Sequence, residues 1–376
     1  MRLIIALACA ALLYLIQYKL YKKFWNKNLD VDIDFDREVL YEGEENTLRE
    51  VITNGKRLPL PVLQIKFSIT RTFLFERKDS SSVTDKYYRN EFYTVMPFQK
   101  ITRTYPFVCS HRGLYGMESM DVICRSLFLD EKMIESRQHA ADVCVLPSMI
   151  AHKDVTTEIN NLLGEIEKNV HINDDPFTFA GIRDYQPYDN MHSINWKVTA
   201  RLNDLQVNTY NTTFSKKVVV LINTETNSMQ HQEDMAEWCI RIAMCIVRRF
   251  ITSKIPVGLY TNGLDYEGPA PEIEAGADMS HIRTVELALA RIDVSQKPTG
   301  FAKLMEQKIV STSGNVEYLI VSNNRKPDVT GEYKKLLASG HRIHFIVPEY
   351  EMIGIENEFK TDDYTGWIIK NEDKTY

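Results

Sequence analysis

Leu3 to Ile16 is a run of fourteen uncharged, almost wholly apolar residues, and it extends to Leu20 if Lys19 snorkels. This pattern predicts a short transmembrane helix contacting a lipid bilayer through residues 3–20, within an anchor and basic juxtamembrane segment over residues 1–28. Lys19, Lys22, Lys23 and Lys27 follow the run, whereas only Arg2 precedes it. The positive-inside rule then favours an uncleaved single-pass anchor in the cell membrane, with the soluble domains cytoplasmic, over a cleaved signal peptide. From residue 29 to about residue 150 the apolar positions come in short strand-like runs. Val31, Ile33 and Phe35 alternate with Asp32, Asp34 and Asp36, and further runs cover Leu48 to Thr53, Val62 to Ile69, Ile101 to Val108 and Val143 to Leu146. Turn residues at Asn54-Gly55, Pro59, Pro61 and Arg112-Gly113 separate them, as in an antiparallel β-sandwich.

The period then changes. Ile159, Leu162, Leu163 and Ile166 lie at helical spacing, which predicts a connecting helix within residues 151–173. Beyond it, Val218 to Ile222, Tyr318 to Val321 and Ile343 to Val347 are unbroken runs of β-formers, with Val257 to Tyr260 a weaker fourth. Such runs suit strands covered on both faces. Helix-period segments separate them, the clearest having Met235, Trp238, Cys239, Ile242, Ile246 and Phe250 on one stripe. Residues 174–376 therefore read as an irregular segment followed by an α/β, Rossmann-like domain with a mostly parallel sheet. The expected whole is an α+β multidomain chain: transmembrane helix, β-sandwich, α/β domain.

Composition narrows the function. With 45 Lys plus Arg against 51 Asp plus Glu, the chain has a net charge of -6, which gives no electrostatic footprint for nucleic acid. The six cysteines lack a CxxC pair, so neither a zinc site nor a disulfide framework is indicated and a reducing compartment fits. No nucleophile elbow, HExxH or Gly-rich phosphate loop is present. The expected cofactor is none.

The most distinctive stretch runs from Phe179 to Tyr210. It sets Arg183, Lys197 and Arg201 beside Asp184, Asp189 and Asp204, a balance suited to an ion-pair network that pins the segment to the sheet edge. Trp196 is expected to be its apolar anchor. The order Gly-Ile-Arg-Asp-Tyr-Gln-Pro, an Asp, Ile, Trp-Lys and Ala-Arg resembles the family called domain of unknown function 58. The aligned residues are Arg183, Tyr185, Pro187, Asp189, Ile194, Trp196, Lys197, Ala200 and Arg201, with departures at Tyr188, His192 and Asn195. Arg112-Gly113-Leu114-Tyr115 resembles the hairpin of that family's β-sandwich region.

The resemblance implies a von Willebrand factor type A-like C-terminal domain and a membrane anchor. It also implies partners among MoxR-type AAA+ ATPases and transglutaminase-like membrane proteins. A full metal site in such a domain needs Asp-x-Ser-x-Ser after the first strand. Asn223, Glu225 and Asn227 stand there instead, so the site reads as degenerate and without metal. The favoured expectation is a non-catalytic membrane-tethered adaptor or scaffold, in a chaperone-like or cell-envelope-related system. Its partner-binding residues are Arg183, Asp184, Tyr185, Asp189, Trp196, Lys197 and Arg201. The alternative is a metal-dependent hydrolase using Asp184 or Asp189.

Overall fold

A computed structural model describes residues 2–70, 72–75, 81–83, 86–128, 131–150, 157–171, 179–187, 189–210, 216–225, 232–311, 315–350 and 364–369. The chain divides into two compact units, with the boundary between Ser148 and Met149.

The first unit opens with α1 (Arg2–Phe24) and continues through β1 (Leu29–Phe35), β2 (Val39–Tyr41), β3 (Glu45–Asn54), β4 (Leu60–Thr70) and β5 (Phe73–Phe75). It closes with β6 (Ser81–Val83), β7 (Lys86–Val95), β8 (Lys100–Cys109), β9 (Gly113–Arg125) and β10 (Lys132–Leu146). One sheet has the order β1-β3-β8-β5 and the other β2-β10-β9-β4-β7-β6. All pairings are antiparallel apart from β2 with β10. Strict alternation on β1 sends Val31, Ile33 and Phe35 inward and Asp30, Asp32 and Asp34 outward. The two sheets share one core, in which Ile33, Leu48 and Phe107 of the first meet Leu63, Val122 and Val143 of the second.

Among the described residues no helix is long and apolar enough to cross a membrane. The expected transmembrane helix is corrected accordingly. The uncharged apolar stretch ends at Ile16, short of the roughly 20 residues that a crossing takes. The last turns of α1 instead carry Lys19, Lys22 and Lys23 and belong to the sandwich. Tyr21 and Trp25 are buried there, and Tyr21 Oη donates to the Pro59 carbonyl at 2.9 Å.

Charge is also held inside this sandwich. Glu50 on β3 is buried, and its Oε2 accepts hydrogen bonds from Tyr93 Oη on β7 and, at 2.9 Å, from Tyr105 Oη on β8. Burial raises the Glu50 carboxyl above its ordinary value of 4.5, against the opposing pull of the two tyrosine hydroxyls. The native state therefore binds this proton more tightly than the unfolded chain does. Its stabilising effect is complete below the unfolded value and is lost as pH rises through the native one. The melting temperature of wild type relative to Glu50→Gln should accordingly fall as pH is raised from 4.5. A relative rise would mean that the ionised carboxylate is the favoured form.

The second unit begins with α2 (Thr157–His171), β11 (Phe179–Asp184), α3 (Trp196–Leu202) and β12 (Gln206–Tyr210). Next come β13 (Lys216–Ile222), α4 (Gln232–Thr252), β14 (Val257–Thr261), β15 (Leu264–Asp265) and β16 (Glu272–Gly276). It ends with α5 (Met279–Ala290), β17 (Ile292–Asp293), α6 (Phe301–Val310), β18 (Asn315–Val321), α7 (Pro327–Ala338), β19 (Arg342–Tyr350) and β20 (Thr365–Ile369). The main sheet has the order β16-β14-β13-β18-β19-β20, with every pair parallel except β14 with β16. β13 shows why its sequence is apolar throughout. Val218, Val220 and Ile222 enter a core shared with α2, α4 and α5, while Val219 and Leu221 enter another shared with α6 and α7.

Candidate functional site

Two regions of the second unit qualify. The first is the stretch from β11 to β12. These strands pair antiparallel as a separate two-stranded sheet, with Arg183 opposite Val207 and Asp184 opposite Gln206. The expectation that the segment joins the edge of the main sheet is thereby corrected. Polar side chains hold the α3 excursion in place. Asn195 caps α3 by accepting from the Val198 amide at 3.1 Å, and its Nδ2 donates to Asn208 Oδ1 at 2.8 Å. Thr199 Oγ1 accepts from the Gln206 amide at 3.0 Å, and Asn203 ends the helix in the left-handed conformation with φ 59°. Ile194 and Val207 are buried beneath α3 and bridge one another.

Arg183 makes a two-pronged ion pair with Asp189, at 2.7 and 2.6 Å, and Asp189 also accepts from the Gln186 amide at 2.8 Å. The Arg183 guanidinium holds the Asp189 carboxyl below the usual carboxylate range. Asp184 Oδ1 accepts from Gln206 Nε2 at 2.7 Å. Both acids expected of a hydrolase are thus engaged in shaping the turn. Among the described residues no group of three His, Cys, Asp or Glu side chains is placed to hold a metal ion. Lys197, Arg201 and Asp204 are exposed and Tyr185 is half-buried.

Trp196 is not the apolar anchor it was expected to be. It is 62% exposed, and Ile182, Met191, Leu202 and Leu205 of the same stretch are exposed with it. Trp196 is the first residue of α3, a helix with no buried residue, and the buried apolar residues of this stretch are Ile194 and Val207 on either side of it.

The second region is the carboxyl edge of the main sheet. Strand order reverses at β13, since the chain proceeds outward through β14 to β16 and then resumes on the other side at β18. This switch point is where doubly wound sheets bind ligands. Here it is filled by neutral side chains. Asn223 Nδ2 donates to Ser322 Oγ at 2.9 Å, and its Oδ1 accepts from Asn262 Nδ2 at 2.9 Å and from the Glu225 amide at 2.9 Å. Asn262 also accepts from the Thr224 amide at 2.9 Å and donates to the Thr299 carbonyl at 2.9 Å. Asn223, Asn262, Ser322 and Asn324 are fully buried. Glu225, by contrast, faces Lys326 at 3.7 Å near the surface, and Asn227 lies outside the described residues. Sequence reasoning missed Asn262, whose only signal was an Asn-Gly pair directly after a strand.

Residues 181–308 match the protein family of unknown function DUF58. No curated protein matches the chain. Solved structures resemble it only distantly. The CARDB domain of the PF1109 protein from Pyrococcus furiosus is 12% identical, with 32% of this chain and 90% of that one covered at a TM-score of 0.21. The sporulation control protein Spo0M from Bacillus subtilis is 14% identical, covering 42% of this chain and 58% of its own at a TM-score of 0.19. A cohesin module of a Clostridium perfringens family 33 glycoside hydrolase is 9% identical, with 31% and 95% covered at a TM-score of 0.23.

Proposed function

We propose that this chain is a non-catalytic adaptor that presents the stretch from Ile182 to Leu205 as a docking surface to a cytoplasmic partner, a MoxR-type AAA+ ATPase. The observation that carries the reading is Trp196, a large aromatic side chain left 62% exposed on a frame fixed by Asn195, Thr199 and the Arg183–Asp189 pair. Exposed Trp and Arg residues that gain burial on association dominate the energetics of protein interfaces. Lys197 and Arg201 follow Trp196 on the same short helix. The neutral, internally bonded switch point supports a role in binding over one in catalysis. The strand order supports reading the main sheet as von Willebrand factor type A-like, and six free cysteines suit a reducing compartment. A transglutaminase-like membrane protein is proposed as a further partner.

The test uses the full chain and a purified MoxR-type ATPase from the same genome. Trp196→Ala should weaken binding at least about 30-fold, the scale of an interface hot spot, while stability changes by less than about 1 kcal/mol. A variant that melts normally and binds the ATPase as tightly as wild type overturns the docking surface. Loss of binding together with loss of fold would return Trp196 to a structural role.

A further inference from the structure

Lys56 lies in the connection between β3 and β4, and its ammonium group is buried with no hydrogen-bond partner among the described residues. Burial lowers its pKa from 10.5 to about 8, and the nearby Arg137 guanidinium acts in the same direction. A cationic side chain buried without a counter-charge is costly unless a ligand supplies that charge. The same lysine lines a half-open cavity of about 310 Å³ with Leu20 and Phe24 of α1, Lys27, Asn28 and Leu58.

The walls of this cavity are fixed by the chain itself. Gly55 donates its amide to the Asn28 carbonyl at 2.8 Å, Asn54 Nδ2 donates to the Leu58 carbonyl at 3.0 Å, and Tyr21 anchors Pro59. Asn28 holds a positive φ of 50°, which turns the chain out of α1 and back toward this loop. The volume lies at the small end of ligand pockets, which span about 300–1,000 Å³. Apolar walls with two lysines and no carboxylate among the lining residues match a ligand with a short aliphatic body and a single anionic head.

We propose that this cavity binds a medium-chain carboxylate, with its head paired to Lys56, its approach favoured by Lys27, and its chain against Leu20, Phe24 and Leu58. The buried ammonium discriminates against neutral and cationic amphiphiles of the same length.

The probe is decanoate, titrated into the full chain by calorimetry with decanol and acetate as controls. Decanoate is expected to bind saturably, at least about tenfold more tightly than either control, since one charge-assisted hydrogen bond is worth about that much. Lys56→Met keeps the length of the side chain and removes the buried charge. It should melt no lower than wild type and weaken decanoate binding at least about tenfold. A second measurement needs no variant: decanoate should raise the melting temperature of the wild-type chain, and decanol and acetate at the same concentration should not. Equal binding of decanol shows that the charge is idle, equal binding of acetate shows that the cavity is idle, and unchanged binding by Lys56→Met shows that the ligand sits elsewhere. Any of these results, or a melting temperature unmoved by decanoate, overturns the proposal.

Discussion

Trp367→Ala is expected to lower the stability of the second unit by about 3–5 kcal/mol, the cost of deleting a large side chain from a closed core. Trp367 is 1% exposed on β20 at the margin of the main sheet and packs in the cluster that includes Ile159 and Leu163 of α2. Its loss would open a cavity between strand and helix that neither side can close, because α2 is held elsewhere by Glu167, whose carboxylate takes hydrogen bonds from Arg249 at 2.9 and 3.3 Å. For a unit of this size the melting temperature should drop by about 6–20 °C. Differential scanning calorimetry of the full chain measures it. The same substitution at Trp196, which is mostly exposed, should leave the transition almost unmoved. A small effect at Trp367 would mean that β20 is not part of the cooperative core.

Asn262→Ala should cost about 1–3 kcal/mol, since it removes the hydrogen bonds that a fully buried amide makes to Asn223, Thr224 and Thr299 and removes no large apolar volume. The Thr224 amide loses its acceptor, and the Asn223 Oδ1 and the Thr299 carbonyl each lose a donor; Asn223 is fully buried, Thr224 half-buried and Thr299 exposed. Asn262→Asp is the sharper probe. It keeps the acceptor for Thr224 but places a carboxylate oxygen against two other oxygens, so it should destabilise at least as much at neutral pH. Protonation would restore a donor, so the deficit of Asn262→Asp relative to wild type should shrink as pH falls. A deficit independent of pH would mean that the network tolerates the charge, as a latent cation site would. Thermal melting of both variants across pH distinguishes the outcomes.

Much of the strand and helix content was legible locally. The Asp-Val-Asp-Ile-Asp-Phe alternation reappears as β1 with each aspartate outward, because a pleated strand with one buried face has period two. The Met235 to Phe250 stripe lies on α4, with Cys239, Ile242, Ile246 and Phe250 all fully buried. The apolar run at Leu3 to Ile16 read as a membrane crossing. Hydropathy alone does not register that the following turns, through Tyr21 and Trp25, pack into a sandwich made from residues far along the chain. At the candidate site, the two-pronged pairing of Arg183 with Asp189 joins two residues of the recognised motif. The exposure of Trp196 was not legible, because an apolar side chain in a motif carries no information about which neighbours cover it.

The sequence by itself determined the strand and helix periods and the absence of an acid at Asn223, since both depend on residue type and spacing along the chain. Only the tertiary structure decided that Asn223, Asn262 and Ser322 form one buried network. It also decided that Trp367 rather than Trp196 is the buried tryptophan of the pair and that the Lys56 ammonium is buried beside a cavity at α1 with no hydrogen-bond partner among the described residues. Each of these depends on contacts between segments tens to hundreds of residues apart. Burial is a property of the closed packing that such contacts create, so it is absent from any local window of the chain.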